Sequence, residues 1–381
     1  MIITRSSLFK NQLEITWDTL ICVIAFHTMN KFRVTTLKEE YLMVPVSSGR
    51  QAICLLLFMI LIAPALCQAQ DAKLIEGAKK EGQLVYYTTM TLDQSKHTVD
   101  QFEKKYPFLK VTLFRTGGGP ILNKILTEAR GGRYDWDVVV GRGEMVIPLM
   151  DRKLLASYRS PESKMIDAQL VDNEGYWTAY YVNSFVLGWN TRVVKREDVP
   201  KTYEALLNPK WKGGQISLDT EAYGMVEGLK RAWGKEKAVA YFKKLAALDP
   251  VLKRGNTERV QLLVAGEYPV IIAYNQTIQR MTSRGAPVDW IPLEPAVTQV
   301  NPAMIAAKAP HPNAARLFYD YILSKEGQEQ LRGYQRIPVR KDVEPDPPRL
   351  FRGFKYVIEN PEDYKDFDAT VKQYLEIFKL R

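Results

Sequence analysis

Cysteine is the scarcest reactive residue in this chain: Cys22, Cys54 and Cys67 are all it has, and none follows residue 67. Everything beyond that point therefore lacks disulfides, thiolate metal ligands and a cysteine nucleophile. Histidine is almost as rare. His27, His97 and His311 make up the full set, a poor basis for a histidine-rich zinc site or a Ser-His-Asp triad. No basic run reaches five residues, and lysine and arginine are interleaved with acids, so the formal charge of +10 reads as a solvated basic surface. No nucleic-acid recognition motif accompanies it. A general attraction for anionic ligands gains weight only from site residues. Internal repeats and low-complexity linkers are also missing.

What is present begins near the N-terminus. Arg50 precedes a leucine-rich run from Gln51 to Ile62, then Pro64 and small residues at Cys67 and Ala69. That is the pattern of a secretory signal peptide over 43–69, with cleavage expected after Ala69. Met43 is then the expected start, and 1–42, which hold no convincing periodic element, an over-extended start. The twenty uncharged residues between Arg50 and Asp71 leave an uncleaved membrane anchor as the alternative. Lipid modification of Cys67 is disfavoured by the bulk of Leu66. Export without cysteine suits a bacterial periplasm.

The 381 residues, 46% hydrophobic, suffice for one large domain or two ordinary ones. Strand and helix patterns alternate along them. Leu84–Thr88, Leu109–Phe114 and Asp135–Gly141 read as strands, with helices over Ser95–Lys105 and around Ile121–Ala129. Strand–helix–strand–helix–strand implies a parallel sheet with right-handed crossovers, an α/β fold. Tyr180–Asn190 is a long extended run. A second α/β section follows, with strands near Gln215–Leu218, Val270–Tyr274 and Val288–Ile291. Its helices are expected over Tyr223–Trp233, Lys235–Ala247 and Thr257–Ala265. Val300–Lys308 is extended, Asn313–Leu331 is one strong helix, and Phe367–Leu380 is helix-like.

Ligands in open α/β sheets sit beyond the carboxyl ends of strands. Here those ends carry Thr88-Thr89, Thr116-Gly117-Gly118-Gly119, Gly141-Arg142-Gly143, Asp219 to Gly224 and Arg254-Gly255-Asn256-Thr257. Glycine lets backbone N–H groups approach a ligand, and a helix start presents unpaired donors. Thr116 is placed to cap the helix that Pro120 begins. The triple-glycine loop lacks the glycine-lysine-serine/threonine ending of a nucleotide-hydrolysing loop, and Lys124 falls too far into the helix. Arg142, between two glycines, suits bidentate grip of a carboxylate or phosphate; the bland reading is a surface arginine, and Arg254 carries the same ambiguity. Trp177, Tyr180, Tyr181 and Tyr274 line a cleft or lie in the core. Asp219 and Glu221 are a candidate acid–base pair or solvated loop carboxylates.

The segments LIEGAKKEGQLVYYTT, FEKKYPFLKVTLFRTGGG, YDWDVVVG, YEALLNPKWKGGQISL, VAGEYPVIIAY and HPNAARLFYDYILSKEGQEQL, in this order over nearly all of 71–345, resemble the periplasmic solute-binding proteins of bacterial ABC importers. The resemblance is to the iron(III)-, thiamine- and polyamine-type branch. It implies a two-lobed type II periplasmic-binding-protein fold. Lobe 1 would comprise 71–180 with 300–345 and lobe 2 181–299 with 346–381, joined by hinge strands at Tyr181–Trp189 and Val300–Lys308. It further implies a monomer, not an enzyme, without cofactor, whose partners are a small-molecule or ion ligand and an inner-membrane ABC permease. The implied cleft residues are Thr88, Thr89, Thr116, Gly117, Gly118, Arg142, Asp219, Tyr223, Asn256 and Tyr274, with Tyr181 as a further candidate. Ferric-ion binders of this family commonly carry paired tyrosines after the strand that here reads PVIIAY. This chain has the single Tyr274, then Asn275-Gln276-Thr277, and Thr88-Thr89 where some members add a histidine. One phenolate is a poor cage for hard Fe(III). The favoured ligand is an anionic organic or phosphorylated solute held by the threonines, the glycine N–H groups and Arg142. Fe(III), with or without a synergistic anion, is the alternative, and a periplasmic enzyme on the same fold is the alternative of another class.

Overall fold

The computed structural model describes residues 72–380; the expectations for 1–42 and 43–69 lie outside the described residues. A first helix, 72–81, leads into β1 (Gln83–Thr88). β2 (Lys110–Arg115) and β3 (Val138–Val140) flank β1, both parallel to it. The helices Leu92–Lys105 and Gly118–Arg130 cross between them, as the alternating pattern predicts.

β4 (Thr178–Asn190) is buried along its whole length. Thirteen residues at about 3.3 Å each reach roughly 43 Å, enough to serve both halves of the molecule. Its first half pairs with β9 (Ala296–Ile305), which is antiparallel to β3 as well. Its second half pairs with β7 (Val270–Tyr274) and β8 (Val288–Ile291). β5 (Ile216–Asp219) runs parallel to β7, and β6 (Val251–Lys253) parallel to β5. The order is β2-β1-β3-β9-β4-β7-β5-β6. β10 (Ile337–Pro338) adds to β4 and β11 (Tyr356–Ile358) to β9.

Two apolar cores follow from this layout. One gathers Phe102, Trp136, Val139, Phe318 and Tyr319; the other gathers Trp189, Tyr203, Leu218, Phe242 and Leu245, closed by Tyr374 and Phe378 of the last helix, Phe367–Phe378. The register brings the two sets of strand ends together. β3 ends opposite Ala303, and β7 ends opposite Phe185, beside the Ser184–Thr298 pair. The stretch of β9 from Thr298 to Ala303 therefore lies between them.

Three local expectations are corrected. The helix expected over Asn313–Leu331 is two, Pro312–Leu323 and Lys325–Gly333. Ser324 turns extended between them, and its hydroxyl accepts from Gly327 N at 3.2 Å. A serine that caps a new helix competes with continuing the old one. Thr116 does not cap the helix at Gly118; Gly117 takes that position and no side chain caps it. The third strand is shorter than Asp135–Gly141, spanning Val138–Val140. The carboxylate of Asp137, just before it, accepts from Val85 N at 2.7 Å, His311 N at 2.7 Å and His311 Nδ1 at 2.8 Å. One rare histidine thus has a cross-linking role.

Candidate functional site

The loops after β1, β2 and β3 are tied to one another by backbone bonds. Thr89 N donates to Val140 O at 3.0 Å and Thr116 N to Thr88 O at 3.3 Å. Thr88 is fully buried, and its Oγ1 accepts from Met90 N at 3.1 Å. Its hydroxyl holds the loop, while Thr89 and Thr116 keep partial exposure. The glycines clear room for side chains. A Cβ at Gly118 would sit 3.6 Å from Arg142 Cδ, and one at Gly117 would press on Arg254 Nη2 at 3.1 Å.

Arg142 leaves β3 and enters a short turn, Gly143–Met145. Its Nη1 lies 3.7 Å from Glu144 Oε1 and 3.7 Å from Glu221 Oε2. The other oxygen of Glu221 is 3.1 Å from Arg254 Nη2. One carboxylate is thus bracketed by two guanidiniums, one following β3 and one following β6. Burial works against the Arg142 charge, but Tyr274, Glu144, Asp219 and Glu221 outweigh it and hold the guanidinium above its ordinary range. Burial pushes Glu144 up, with Arg142 pulling the other way. Burial likewise raises Tyr274, against the pull of Arg142, and its hydroxyl donates to Gln299 Oε1. Tyr223 is raised by burial and then by Glu221 and Asp219, and its ring packs edge-on against Phe367 and Tyr374.

Two further candidates stand behind this group. Asp219 Oδ2 pairs at 3.3 Å with Arg259, whose residue is completely buried. Asp219 Oδ1 accepts from Glu221 N at 3.0 Å, which fixes the loop that carries Glu221. Asn256 Oδ1 accepts from Tyr274 N at 3.1 Å and Arg259 Nη2 at 3.3 Å. Both residues are therefore engaged in positioning contacts. Tyr181 is buried on the same strand face as Asn183 but lies under the Arg336 guanidinium, 4.3 Å from ring centroid to Cζ.

Several residues here were not singled out from the sequence. Gln299, Asn301 and Asn183 are buried polar residues on one face of β4 and β9. Polar side chains at alternate positions in otherwise apolar hinge strands were the available signal. Glu359 had none. It is buried, accepts from Val300 N at 2.8 Å and from Tyr364 OH at 2.5 Å, and packs on Gly143 and Gly224. Burial pushes it well above the usual carboxylate range; the Tyr364 bond opposes this and Glu144 adds to it. Among the described residues no group of three or more histidine, cysteine or acidic side chains is arranged to hold a metal ion, and no helix is long and apolar enough to cross a membrane.

Residues 97–350 match the family of bacterial extracellular solute-binding proteins. A curated relative, the Fe(3+)-binding periplasmic protein of Serratia marcescens, is 24% identical over 269 residues, 68% of this chain and 78% of the relative. Among solved structures, periplasmic binding protein AfuA from Actinobacillus pleuropneumoniae, with exogenous fructose-6-phosphate bound, superposes with a TM-score of 0.70 at 25% identity, covering 79% of this chain and 99% of AfuA. Iron-bound HitA from Pseudomonas aeruginosa gives a TM-score of 0.69 at 19% identity, covering 77% and 99%. The fold is the two-lobed type II architecture of periplasmic binding proteins, with β4 and β9 as the strands common to both halves. The chain belongs to the bacterial extracellular solute-binding proteins.

Proposed function

We propose that this protein captures a phosphorylated or otherwise anionic organic solute in the periplasm and delivers it to an ABC permease. One observation carries the reading. Arg142 and Arg254 reach toward each other from two sets of strand ends and already bracket a carboxylate, that of Glu221. Paired guanidinium forks are suited to oxyanions and give them charge-assisted hydrogen bonds. A solute oxyanion would displace Glu221 and take the same donors, so binding would draw 71–180 with 300–345 toward 181–299 with 346–381. The permease would recognise the closed form. Tyr223, Tyr274 and the backbone of Gly117 and Gly118 would complete the wall, with Thr89 and Thr116 at its rim. The likeness to AfuA, solved with a sugar phosphate, supports this ligand class.

Fe(III) is the second reading, favoured by the Serratia relative and by the fold shared with HitA. Against it, Tyr274 is the single tyrosine at the end of β7, and its hydroxyl donates to Gln299 Oε1. Hard Fe(III) prefers several phenolate or carboxylate oxygens at once. No catalytic residue is assigned: Asp219, the best acid–base candidate, is paired with Arg259. The protein is read as a monomer that needs no resident cofactor.

Arg142→Ala tests this directly. Its affinity for fructose 6-phosphate, by calorimetric titration, is expected to fall by about tenfold or more, as for loss of a charged hydrogen bond. Unchanged affinity in a variant that binds the sugar phosphate would sink the assignment.

A further inference from the structure

The shared strands carry a second polar patch that the Arg142–Glu221–Arg254 group does not use. Tyr181 and Asn183 stand two residues apart on one face of β4, about 7 Å from each other. Their register partners on β9 are Asn301 and Gln299. Arg336 covers Tyr181 at 4.3 Å, is only 4% exposed, and spends its Nε on Gln94 Oε1 at 2.7 Å. Asn183 Oδ1 accepts from Gln276 Nε2 at 3.1 Å, and Gln276 Oε1 accepts from Arg280 Nη1 at 2.7 Å. Asn301 is 3% exposed, and its Nδ2 has no hydrogen-bond partner among the described residues.

Among the described residues neither guanidinium has a carboxylate at ion-pair distance; the neutral oxygens of Gln94 and Gln276 are what they hold. Asp93 is the carboxylate nearest in influence on Arg280, and Arg284 adds a further positive charge. Burial, reinforced by Arg336, pushes the Arg280 guanidinium down to about 10. The hydrogen-bonded chain Asn183–Gln276–Arg280 and the stacking of Arg336 on Tyr181 bring both guanidiniums to one face of β4, where a bound anion offsets their like charge. The Arg142 end differs, because an incoming anion there must first displace Glu221.

We propose that Arg280 and Arg336, with Gln276 and Asn301 as neutral donors, form a second anion subsite that takes a phosphate-type group. It rests on the solute-binding reading only in its purpose, which is to hold the far end of an extended solute; the subsite itself binds phosphate whether or not Arg142 does. A solute with two anionic groups is then gripped at both ends.

The probe is inorganic phosphate, titrated calorimetrically into the purified protein. Arg280→Gln and Arg336→Gln are each expected to weaken it by about tenfold, and Arg336→Lys, which keeps charge but loses the fork, by less. In the Arg142→Ala background, where the Glu221-linked site is disabled, phosphate binding is expected to persist and to remain sensitive to Arg280→Gln. Arg280→Gln is expected to melt no earlier than the parent protein without phosphate, since it removes a repulsion; this guards against reading misfolding as lost binding. Absence of phosphate binding in the parent, or unchanged affinity in both Arg280→Gln and Arg336→Gln, overturns the subsite. Loss of phosphate in Arg142→Ala alone overturns it too, while supporting the solute site. Fructose 6-phosphate affinity unaffected by Arg142→Ala, with phosphate lost in Arg280→Gln, sinks the proposed function and leaves the subsite standing.

Discussion

Asp219→Ala is expected to destabilise the protein by about 3–5 kcal/mol, the usual result of stripping one partner from a buried ion pair. Arg259 is fully buried and has Asp219 as its only carboxylate partner among the described residues; Ile272 O and Asn256 Oδ1 supply the rest of its bonding. Removing the carboxylate leaves a guanidinium that cannot reach water without opening the end of β5. The Tyr374 hydroxyl, which donates to Asp219 O at 2.5 Å, ties the last helix to the same point, so the damage should spread to the second core. Urea unfolding at neutral pH reads the loss. Asp219→Asn, which keeps the shape and one acceptor, should fall between the two. A loss below about 1 kcal/mol, the range of an exposed pair, would show that Arg259 is hydrated and that Asp219 is free to serve a ligand instead.

Gly327→Ala should cost about 3 kcal/mol, the upper end of what an added methylene does in a packed interior. A Cβ there would lie 2.3 Å from Tyr321 O and 2.9 Å from Ile322 Cα. Both obstacles are backbone, so no rotamer change relieves them. The step between Pro312–Leu323 and Lys325–Gly333 must widen, and with it the seat of Gln328, which bonds Tyr180 O and Ile322 O and accepts from Val339 N. Thermal unfolding should show a melting point several degrees lower, and a variant as stable as the parent would mean that the helix break is not as tight as described. Gly333→Ala, in the same helix with open space around its Cα, serves as the control.

The contrast between these two sites shows what periodicity can and cannot reveal. β7, β8 and the helix Tyr223–Trp233 have the bounds that apolar runs and flanking turn residues suggest. The break at Ser324 left no gap in the apolar face, since Leu317, Phe318, Tyr321, Ile322 and Leu331 all reach the first core. Only the cap and the close approach of Gly327 reveal it. In the site, Arg142 stood out as a lone cation between two glycines at a strand end, and the structure sets it against Glu221 and Glu144. Arg259, Glu359 and Arg336 were illegible because their partners are distant in sequence: Arg259 pairs 40 residues away, and Arg336 reaches Gln94 across 242. Asp219 and Asn256 are polar residues at strand ends, legible as site candidates, but their bonds to Arg259, Glu221 N and Tyr274 N were not. Whether such a residue faces a solute or supports its neighbour depends on what else is buried beside it.

The central claim is that the cleft takes an anionic organic solute. The most direct test is a thermal-shift screen of the purified protein after unfolding and refolding to strip bound ligand. The panel sets sugar phosphates, phosphonates, phosphate and dicarboxylates against polyamines, thiamine and Fe(III) with carbonate. A true ligand at about a hundred times its dissociation constant adds roughly 2.7 kcal/mol, a clear upward shift. The account predicts that shift with a phosphorylated or dicarboxylate solute and none with Fe(III). A shift with Fe(III) alone, accompanied by the colour of an iron–tyrosinate bond, would contradict it.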